Sequence, residues 1–392
     1  MTKLEQLIQE LCPNGVEHRK IKEVYTRLKG TPITAGKMKE IEDFSGEIRI
    51  FAGGKTVINA KEEDIPNANI TRVPAVLVQS RGVIDFIYYE EPFTFKNEMW
   101  AYTTTEKISV KYLYYVLKNN TTYFREAASG MGSLPQISLP ITEDFVIPVP
   151  PIEVQREIVR ILDNFTDFTA ELTAELTARE KQYKYYRDTL LERNMPTEKV
   201  PLGSICEVYD GTHQTPEYTE SGIPFVSVED IDNLSATKKF ISPEAYAKYK
   251  VKPRTGDVFM TRITAGVIGK CAIVENDDDL AYYVSLALLR PNRNVLDSKY
   301  LKHYLESGIG KIELAKRILW DATPTKINKD DIGKLFIAVP PLDVQERLVR
   351  VLDNFDTICT DLNIGLPAEI EARHKQYEYY RDKLLSFKNI EG

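Results

Sequence analysis

Apolar side chains recur in steps of four and three residues along two long stretches of the chain. The first stretch runs from Ile158 to Leu190, and the second runs from Leu348 to Leu384. This spacing is the heptad pattern of a helix that packs along a seam against another helix. A helix over residues 158–190 would be about 48 Å long, too long for one small domain to bury. We therefore predict two long helices that form an antiparallel coiled coil about a pseudo two-fold axis.

The second stretch contains an interruption that the first one lacks. Its pattern takes an extra step of four residues at Leu366, between Gly365 and Pro367. A proline inside a helix removes one backbone N–H donor and clashes with the carbonyl four residues earlier. The second helix is therefore predicted to consist of two pieces.

The two stretches lie in segments that are copies of one another. Residues 149–165 return as residues 339–355 with 11 of 17 positions identical, and residues 178–191 return as residues 372–385 with 11 of 14 identical. Four extra residues separate the two blocks in the second copy. The regions before each copy are alike only faintly, as in SLPQI from Ser133 and TPTKI from Thr323. The chain therefore consists of a variable region and a long helix, each present twice.

The two variable regions alternate short apolar runs with glycines and polar turns. Gly82 indicates a hairpin, Gly53 and Gly54 indicate a tight turn or a close backbone approach, and Ser109 and Ser298 stand where helices are predicted to begin. Strands are predicted at residues 48–52, 75–79, 83–88, 257–262, 271–274 and 283–289, and the first region's helix at 110–118. Each variable region is therefore predicted to be a strand-rich α+β domain.

Composition excludes several classes of protein. The 392 residues include 51 Lys or Arg and 58 Asp or Glu, and this net charge of −7 argues against a protein whose whole surface coats nucleic acid. The cysteines Cys12, Cys206, Cys271 and Cys359 form no CxxC or Cys/His pair, so neither a zinc site nor a disulfide framework is predicted. No apolar run approaches the ~20 residues of a membrane span, and the start of the chain is too charged for a signal peptide. A cytoplasmic protein without a bound metal is expected.

The repeated segments carry motifs that resemble those of a known family. The proline pair, EVQ, LDNF and ARxKQYxYYRDxLL that follow each variable region are similar to segments of the specificity subunits of Type I restriction-modification enzymes. The resemblance covers essentially the whole chain, and it is strongest in the two helical segments. It implies a target recognition domain at 1–148, a central conserved helix at 149–195, a second target recognition domain at 196–338 and a C-terminal conserved helix at 339–392.

The resemblance also implies a non-catalytic role and specific partners. Such a subunit reads a bipartite, asymmetric target in double-stranded DNA and docks two modification (methyltransferase) subunits and two restriction (translocase and nuclease) subunits. S-adenosylmethionine, ATP and magnesium are then expected on those partners, and no cofactor on this chain. The sequence agrees, because it contains no Asn-Pro-Pro-Tyr or Asp-Pro-Pro-Tyr motif and no GxGxxG after a predicted strand.

A tandem tetrapeptide, TAELTAEL, occupies residues 169–176 of the first helix. It resembles the spacer repeat of one branch of the family, in which the number of copies sets the distance between the two halves of the target. Each four-residue unit adds about 6 Å of helix, comparable with one or two base-pair steps. Since Ala, Glu and Leu are all good helix formers, a chance repetition without that role stays open.

Polar residues on loops are the candidates for contact with DNA, because base edges are recognised by paired donors and acceptors and phosphates by cations and hydroxyls. The candidates are Lys55, Gln79, Ser80, Arg81, Lys96, Asn97, Gln136, His213, Gln214, Arg262, Thr264, Lys270, Thr325 and Lys326. Arg262 and Lys270 are favoured, since they flank a glycine-containing loop with free backbone amides, and Arg81 is the counterpart in the first region. The two tryptophans, Trp100 and Trp320, are interpreted as packing residues.

The helical repeats supply the candidates for contact with partner subunits. The KQYxYYRD faces are rich in Tyr and Arg, which are enriched at protein interfaces. The candidates are Gln155, Gln182, Tyr185, Arg187, Gln345, Gln376, Tyr379 and Arg381.

Two alternative functions remain open at this point. The chain could be a coiled-coil adaptor that displays two recognition domains and has no enzyme partners. It could also hide a nuclease in a variable region, with Glu229, Asp230 and Asp232 as the acidic cluster. Solvated acidic loops without a following, positioned lysine are the more common explanation of such a cluster. No catalytic residue is therefore predicted.

Overall fold

The computed structural model describes residues 2–54, 56–128, 134–193, 198–360 and 364–390. The chain divides into two compact units. Unit 1 comprises Met1–Glu171 with Ile370–Gly392, and unit 2 comprises Leu172–Glu369. Each unit therefore contains one variable region and parts of both helical repeats. None of the described helices has a stretch apolar enough to cross a bilayer.

Unit 1 is a mixed α/β domain followed by a long helix that continues into unit 2. Its described strands are β1 (Glu17–Lys20), β2 (Thr26–Lys29), β3 (Ile48–Phe51), β4 (Val57–Ala60), β5 (Ala75–Gln79), β6 (Asp85–Tyr89), β7 (Phe93–Phe95), β8 (Trp100–Thr103) and β9 (Val146–Val149). The helices are α1 (Lys3–Leu11), α2 (Ile21–Val24), α3 (Ala35–Glu40), α4 (Lys107–Asn119), α5 (Thr121–Glu126), α6 (Leu139–Glu143) and α7 (Ile152–Arg193).

Unit 2 is likewise a mixed α/β domain. Its described strands are β10 (Lys199–Pro201), β11 (Cys206–Asp210), β12 (Ile223–Val226), β13 (Phe240–Ile241), β14 (Val258–Thr261), β15 (Cys271–Ile273), β16 (Ala281–Tyr282), β17 (Leu286–Pro291) and β18 (Phe336–Ala338). The helices are α8 (Pro243–Tyr246), α9 (Ser298–Glu306), α10 (Gly308–Ala315), α11 (Lys329–Gly333) and α12 (Leu342–Thr360), and the chain then enters α13 (Leu366–Leu384), which continues into unit 1.

The two units share one strand topology. The four-stranded sheet has the order β2-β8-β5-β6 in unit 1 and β11-β17-β14-β15 in unit 2. The three-stranded sheets, β4-β3-β7 and β13-β12-β16, and the strand pairs, β1-β9 and β10-β18, correspond in the same way. In both three-stranded sheets the central strand runs parallel to one neighbour: β3 to β7, and β12 to β16. The duplication seen in the helices therefore extends through the variable regions, where sequence similarity is faint.

The strands form where apolar residues can be covered on both faces. All five residues of β5 and all four of β14 are buried at the centre of their sheets. The predicted strands are confirmed with small shifts, except that the strand predicted at 283–289 begins only at Leu286, because a turn lies at residues 284–285. Ser109 is not a helix cap, since α4 already begins at Lys107.

The helical repeats pair in an antiparallel manner within each unit, as predicted. In unit 1 the ring of Phe165 on α7 stacks on Tyr380 of α13 at 5.7 Å between ring centroids, and Arg373 lies over Phe168. In unit 2 the ring of Tyr186 on α7 stacks on Phe355 of α12 at 5.6 Å. Phe165 and Phe355 are equivalent in the repeat, as are Tyr186 and Tyr380, so each unit makes the same contact with the roles of the two helices exchanged.

The predicted break in the second helical repeat is confirmed. Helix α12 ends at Thr360 and α13 begins at Leu366, and residues 361–363 lie outside the described residues. Pro367 is the second residue of α13, where its missing N–H has no helical partner to lose. Leu385, just past the end of α13, joins the core of unit 1 beside Leu162.

The four cysteines are buried. Burial raises the pKa of the Cys206 thiol to about 12, so this side chain stays protonated at neutral pH. They therefore act as small apolar core residues.

Candidate nucleic-acid interface

Each unit brings a hairpin loop against a later segment of the chain. In unit 1 the backbone of Arg81 pairs with that of Gln136, and the N–H of Ile137 donates to the carbonyl of Ser80 at 2.9 Å. We call residues 80–84 and 134–137 the loop pair of unit 1. Gly82 takes a φ of +78° in this hairpin, a conformation that glycine adopts without steric cost.

Unit 2 builds the same arrangement from different residues. The backbone of Ile263 pairs with that of Lys326, and the N–H of Ile327 donates to the carbonyl of Arg262 at 2.9 Å. Thr264 donates from its backbone to the carbonyl of Thr325 at 3.0 Å. We call residues 262–270 and 319–327 the loop pair of unit 2. The faint match between SLPQI and TPTKI thus marks structurally equivalent segments.

The candidates in unit 1 gather around its loop pair, but two of them are buried. Gln79 donates from Nε2 to the carbonyl of Gly54, and Ser80 donates from Oγ to the carbonyl of Glu98. Lys96 forms an ion pair with the Glu98 carboxylate at 2.8 Å. We expected Gln79 and Ser80 at the surface, and this expectation is wrong. Both side chains are buried, and their hydrogen bonds stabilise the loop pair.

The remaining described candidates of unit 1 lie at the surface. Arg81, Asn97 and Gln136 are exposed. Lys55 lies outside the described residues. Arg81 and Gln136 stand opposite each other across the loop pair and offer a cation and an amide, the two side-chain types that pair with guanine and adenine edges.

In unit 2 the favoured candidate occupies a different environment from the one expected. Arg262 is only 5% exposed, its guanidinium forms an ion pair with Asp210 on β11, and its Nε donates to the carbonyl of Ile327 at 3.2 Å. The expectation of a surface arginine is wrong, because the side chain points inward and binds the two segments of the loop pair to the sheet.

The other candidates of unit 2 remain at the surface. His213 and Gln214 are exposed beyond the end of β11. Lys270 is half-buried and forms an ion pair with Asp232. The half-buried Thr264, Thr325 and Lys326 lie in the loop pair itself. These candidates bring hydroxyls and ammonium groups to the surface of the loop pair.

The acidic residues considered as a nuclease site form ion pairs and hydrogen bonds with neighbouring residues of unit 2. Glu229 forms an ion pair with Lys239 at 2.6 Å, and Asp230 accepts from the backbone N–H of Ser227 at 2.8 Å. The described residues contain no group of three or more His, Cys, Asp or Glu side chains that could hold a metal ion. A cavity of about 780 Å³ in unit 2 is lined by seven carboxylates and three lysines besides apolar residues, and this excess of negative charge disfavours phosphate.

Three of the predicted partner contacts are internal. Gln155 donates from Nε2 to the carbonyl of Pro150 and accepts from Ser109, and Gln345 donates to Pro340 and accepts from the backbone of Asp297. Arg187 is buried beside Tyr183. The expectation of surface positions is wrong for all three side chains. Each Val-Gln motif fixes its helix to the variable region before it, and Arg187 lies over the ring of Tyr183.

The exposed aromatic residues of the helices match between the repeats. Tyr185 is 66% exposed and Tyr379 is 64% exposed. Gln182, Gln376 and Arg381 are half-buried on the same helices. The side chains of Gln182 and Gln376 accept from Arg179 and Arg373, so they are tied to their own helices.

An aspartate that is present in both helical repeats also attaches each repeat to the variable region before it, and this contact was not predicted from the sequence. Asp163 accepts from Lys111 at 2.8 Å and from Tyr115. Its equivalent, Asp353, accepts from Lys299 at 2.6 Å and from the ring of His303 at 2.8 Å. The sequence LDNF, which is identical in both copies, could have indicated this contact.

The contacts of Asp353 with Lys299 and His303 make a pH-dependent contribution to the stability of the fold. Burial opposes ionisation of the Asp353 carboxyl, but hydrogen bonds from His303 and Lys299 outweigh it and lower its pKa to about 2. A lowered pKa stabilises the fold above the ordinary aspartate pKa, and this stabilisation is lost as the pH falls toward 2. We expect Asp353→Asn to lower the free energy of unfolding by about 1–2 kcal/mol at pH 7.

Chemical denaturation at pH 7 and at pH 3 measures this effect. The difference between wild type and Asp353→Asn should shrink at the lower pH. Asp343→Asn is the matched control, since Asp343 lies on the same helix and its ion pair with Arg347 is exposed. An equal loss at both pH values would contradict the ionised attachment.

Comparison with known proteins places the chain in a family. The family model of the Type I restriction modification DNA specificity domain matches twice, at residues 13–179 and 194–372. The specificity subunit of the type I restriction enzyme EcoR124I/EcoR124II of Escherichia coli is 36% identical over 300 residues, which cover 72% of each chain. A Haemophilus influenzae protein named as a type I restriction enzyme specificity subunit is 31% identical over 308 residues, covering 75% of this chain and 77% of that one.

A solved structure supports the same fold. The S subunit of a type I restriction-modification system from M. genitalium superposes with a TM-score of 0.59 at 15% identity, covering 94% of this chain and 96% of that one. The two family matches cover most of the sequence, and both halves have the same strand topology. The chain therefore belongs to the family of Type I restriction-modification DNA specificity proteins.

Proposed function

We propose that this chain selects the DNA target of a type I restriction-modification complex and performs no chemistry itself. Residues 1–148 and 196–338 are the two target recognition domains, and each reads one half of a bipartite, asymmetric site through its loop pair. This proposal is supported by the side chains at equivalent positions of the shared strand topology, which differ between the units. Arg81 lies opposite Gln136 in unit 1, and Ile263 lies opposite Lys326 in unit 2. Different donors and acceptors favour different base edges.

The helices supply the docking surfaces. Tyr185 and Tyr379 are equivalent and almost equally exposed, so the chain presents the same aromatic group twice. Exposed tyrosines at matched positions suit two copies of one partner. We assign them to two modification subunits, which bring S-adenosylmethionine, and through these to two restriction subunits with ATP and magnesium. The complex acts in the cytoplasm, where DNA is accessible.

The TAEL repeats act as a spacer in this proposal. Residues 169–176 lie within α7, which is unbroken from Ile152 to Arg193. The division between unit 1 and unit 2 falls after Glu171, inside the repeats. A change in the number of repeats changes the length of helix between the two recognition domains, and this supports membership of the branch with TAEL spacers.

Methylome sequencing tests the proposal. A methylation-free host should gain a split, asymmetric methylated motif when this chain is expressed with the modification subunit encoded beside it. Replacing residues 1–140 with the first variable region of another family member should change only one half of that motif. A change in both halves would contradict separate recognition domains. A motif that persists without this chain would favour the alternative, a coiled-coil adaptor with no enzyme partners.

A further inference from the structure

Unit 2 exposes large apolar side chains around its loop pair. Trp320 is 64% exposed and Val267 is 63% exposed. The preceding residue, Leu319, pairs through its backbone with Lys326, so Trp320 extends directly from the loop pair. Trp320 is therefore not a core residue, because most of its indole is exposed.

The indole is held in place although it is exposed. Its Nε1 donates to the carbonyl of Ala315 at the end of α10, at 3.3 Å. Helix α10 itself packs closely on the hairpin loop, since a Cβ at Gly269 would approach a side-chain atom of Leu314 to 2.4 Å. A large apolar side chain kept at the surface by a hydrogen bond and a packed helix is typical of a binding surface.

The charge around these side chains identifies the occupant. Residues 260–270 and 308–329 contain seven Lys or Arg and two acidic residues, whereas the whole chain has more acidic than basic residues. Three of these cations, Arg262, Lys270 and Lys316, are paired with carboxylates. Lys311, Arg317 and Lys326 have no ion pair among the described residues, and the Nε of Arg317 is buried without a hydrogen-bond partner there. An excess of cations around an exposed aromatic ring suits a polyanion that also offers apolar groups.

We propose that Trp320 and Val267 contact thymine methyl groups in the half-site that unit 2 reads. The 5-methyl of thymine is the apolar group that the major groove presents, and apolar side chains distinguish thymine through it. Unit 1 exposes the smaller Val83 and Leu134 in its loop pair, so the two half-sites differ in this contact as well. The inference rests on the proposed function and adds the specificity-determining side chains.

The experiment replaces thymine by deoxyuridine within the second half-site, which removes only the methyl group. The wild-type complex with its modification subunit should bind the substituted duplex roughly fourfold more weakly for each contacted thymine, the effect expected for the loss of one buried methyl group. The Trp320→Ala complex should bind the unsubstituted duplex roughly tenfold more weakly and should not distinguish the two duplexes. Substitution in the first half-site should affect wild type and Trp320→Ala equally.

Two further measurements separate the outcomes. Phe44→Ala removes another exposed aromatic side chain, one outside both loop pairs, and should retain the wild-type discrimination. Since the chain has two tryptophans, Trp100→Phe leaves Trp320 as the single tryptophan of the chain, and target DNA should change its emission under excitation selective for tryptophan. If the wild-type complex binds its target specifically, but deoxyuridine does not weaken binding and DNA does not change the Trp320 emission, this inference is wrong and the proposed function stands. Absence of specific DNA binding by the wild-type complex overturns the proposed function as well.

Discussion

Deletion of residues 173–176 is expected to abolish methylation of the original target and to produce a target whose halves lie closer together. Helix α7 passes from unit 1 into unit 2 after Glu171 without interruption. Removing four residues shortens a helix by about 6 Å, or one to two base-pair steps, and turns its end by about 40°. Each half-site should keep its sequence, and methylome sequencing gives both the sequences and the spacing.

The repeat itself makes this deletion a clean experiment. After the deletion, Leu172 takes the place of Leu176, so an apolar residue remains on the seam beside Tyr183. Phe165 and Tyr186, which stack on the second helical repeat, lie on either side of the deleted residues, so the deletion removes neither ring. A double substitution of Thr173 and Glu175 by alanine keeps the length and should keep the original spacing. An unchanged spacing after the deletion would refute the spacer function.

Arg262→Ala is expected to destabilise unit 2 rather than to alter one base preference. The guanidinium is buried, forms an ion pair with Asp210 and hydrogen-bonds the carbonyl of Ile327. Removing one partner of a buried ion pair leaves the other charge uncompensated and costs about 3–5 kcal/mol. Chemical denaturation of the purified chain should show this loss, and methylation of the whole target should fall with it.

Arg81→Ala is the matched control, because Arg81 occupies the exposed side of the equivalent hairpin in unit 1. It should leave the free energy of unfolding within about 0.5 kcal/mol and weaken recognition of one half-site only. Asp210→Asn should behave like Arg262→Ala. A stable Arg262→Ala protein with an altered base preference would show that Arg262 contacts DNA after all.

The helices could be predicted from the sequence because their periodicity is local. The steps of four and three residues appear in consecutive positions, and Gly365 and Pro367 mark the break directly. The shared strand topology could not be predicted, since burial on both faces demands only apolar character. AVLVQ in β5 and VFMT in β14 meet that demand with different residues.

The candidate site could be predicted only in part. The loop pairs form where glycines and polar residues suggested hairpins, and Arg81 and Gln136 lie there as candidates. The burial of Arg262 depends on Asp210, which is 52 residues away in sequence and gives no local signal. The internal role of Gln155 was indicated by its identity in both repeats, a pattern that fits a structural attachment as well as a partner contact.

The composition of unit 1 from two distant parts of the chain has a consequence for its synthesis. Tyr377 and Leu385 complete a core to which Leu162 already contributes, yet the ribosome makes all of unit 2 before it reaches them. At about 5–20 residues per second this delay lasts roughly 10–40 s. During that time the apolar seam of the nascent α7 is uncovered, and the first recognition domain to be translated is the last to be completed.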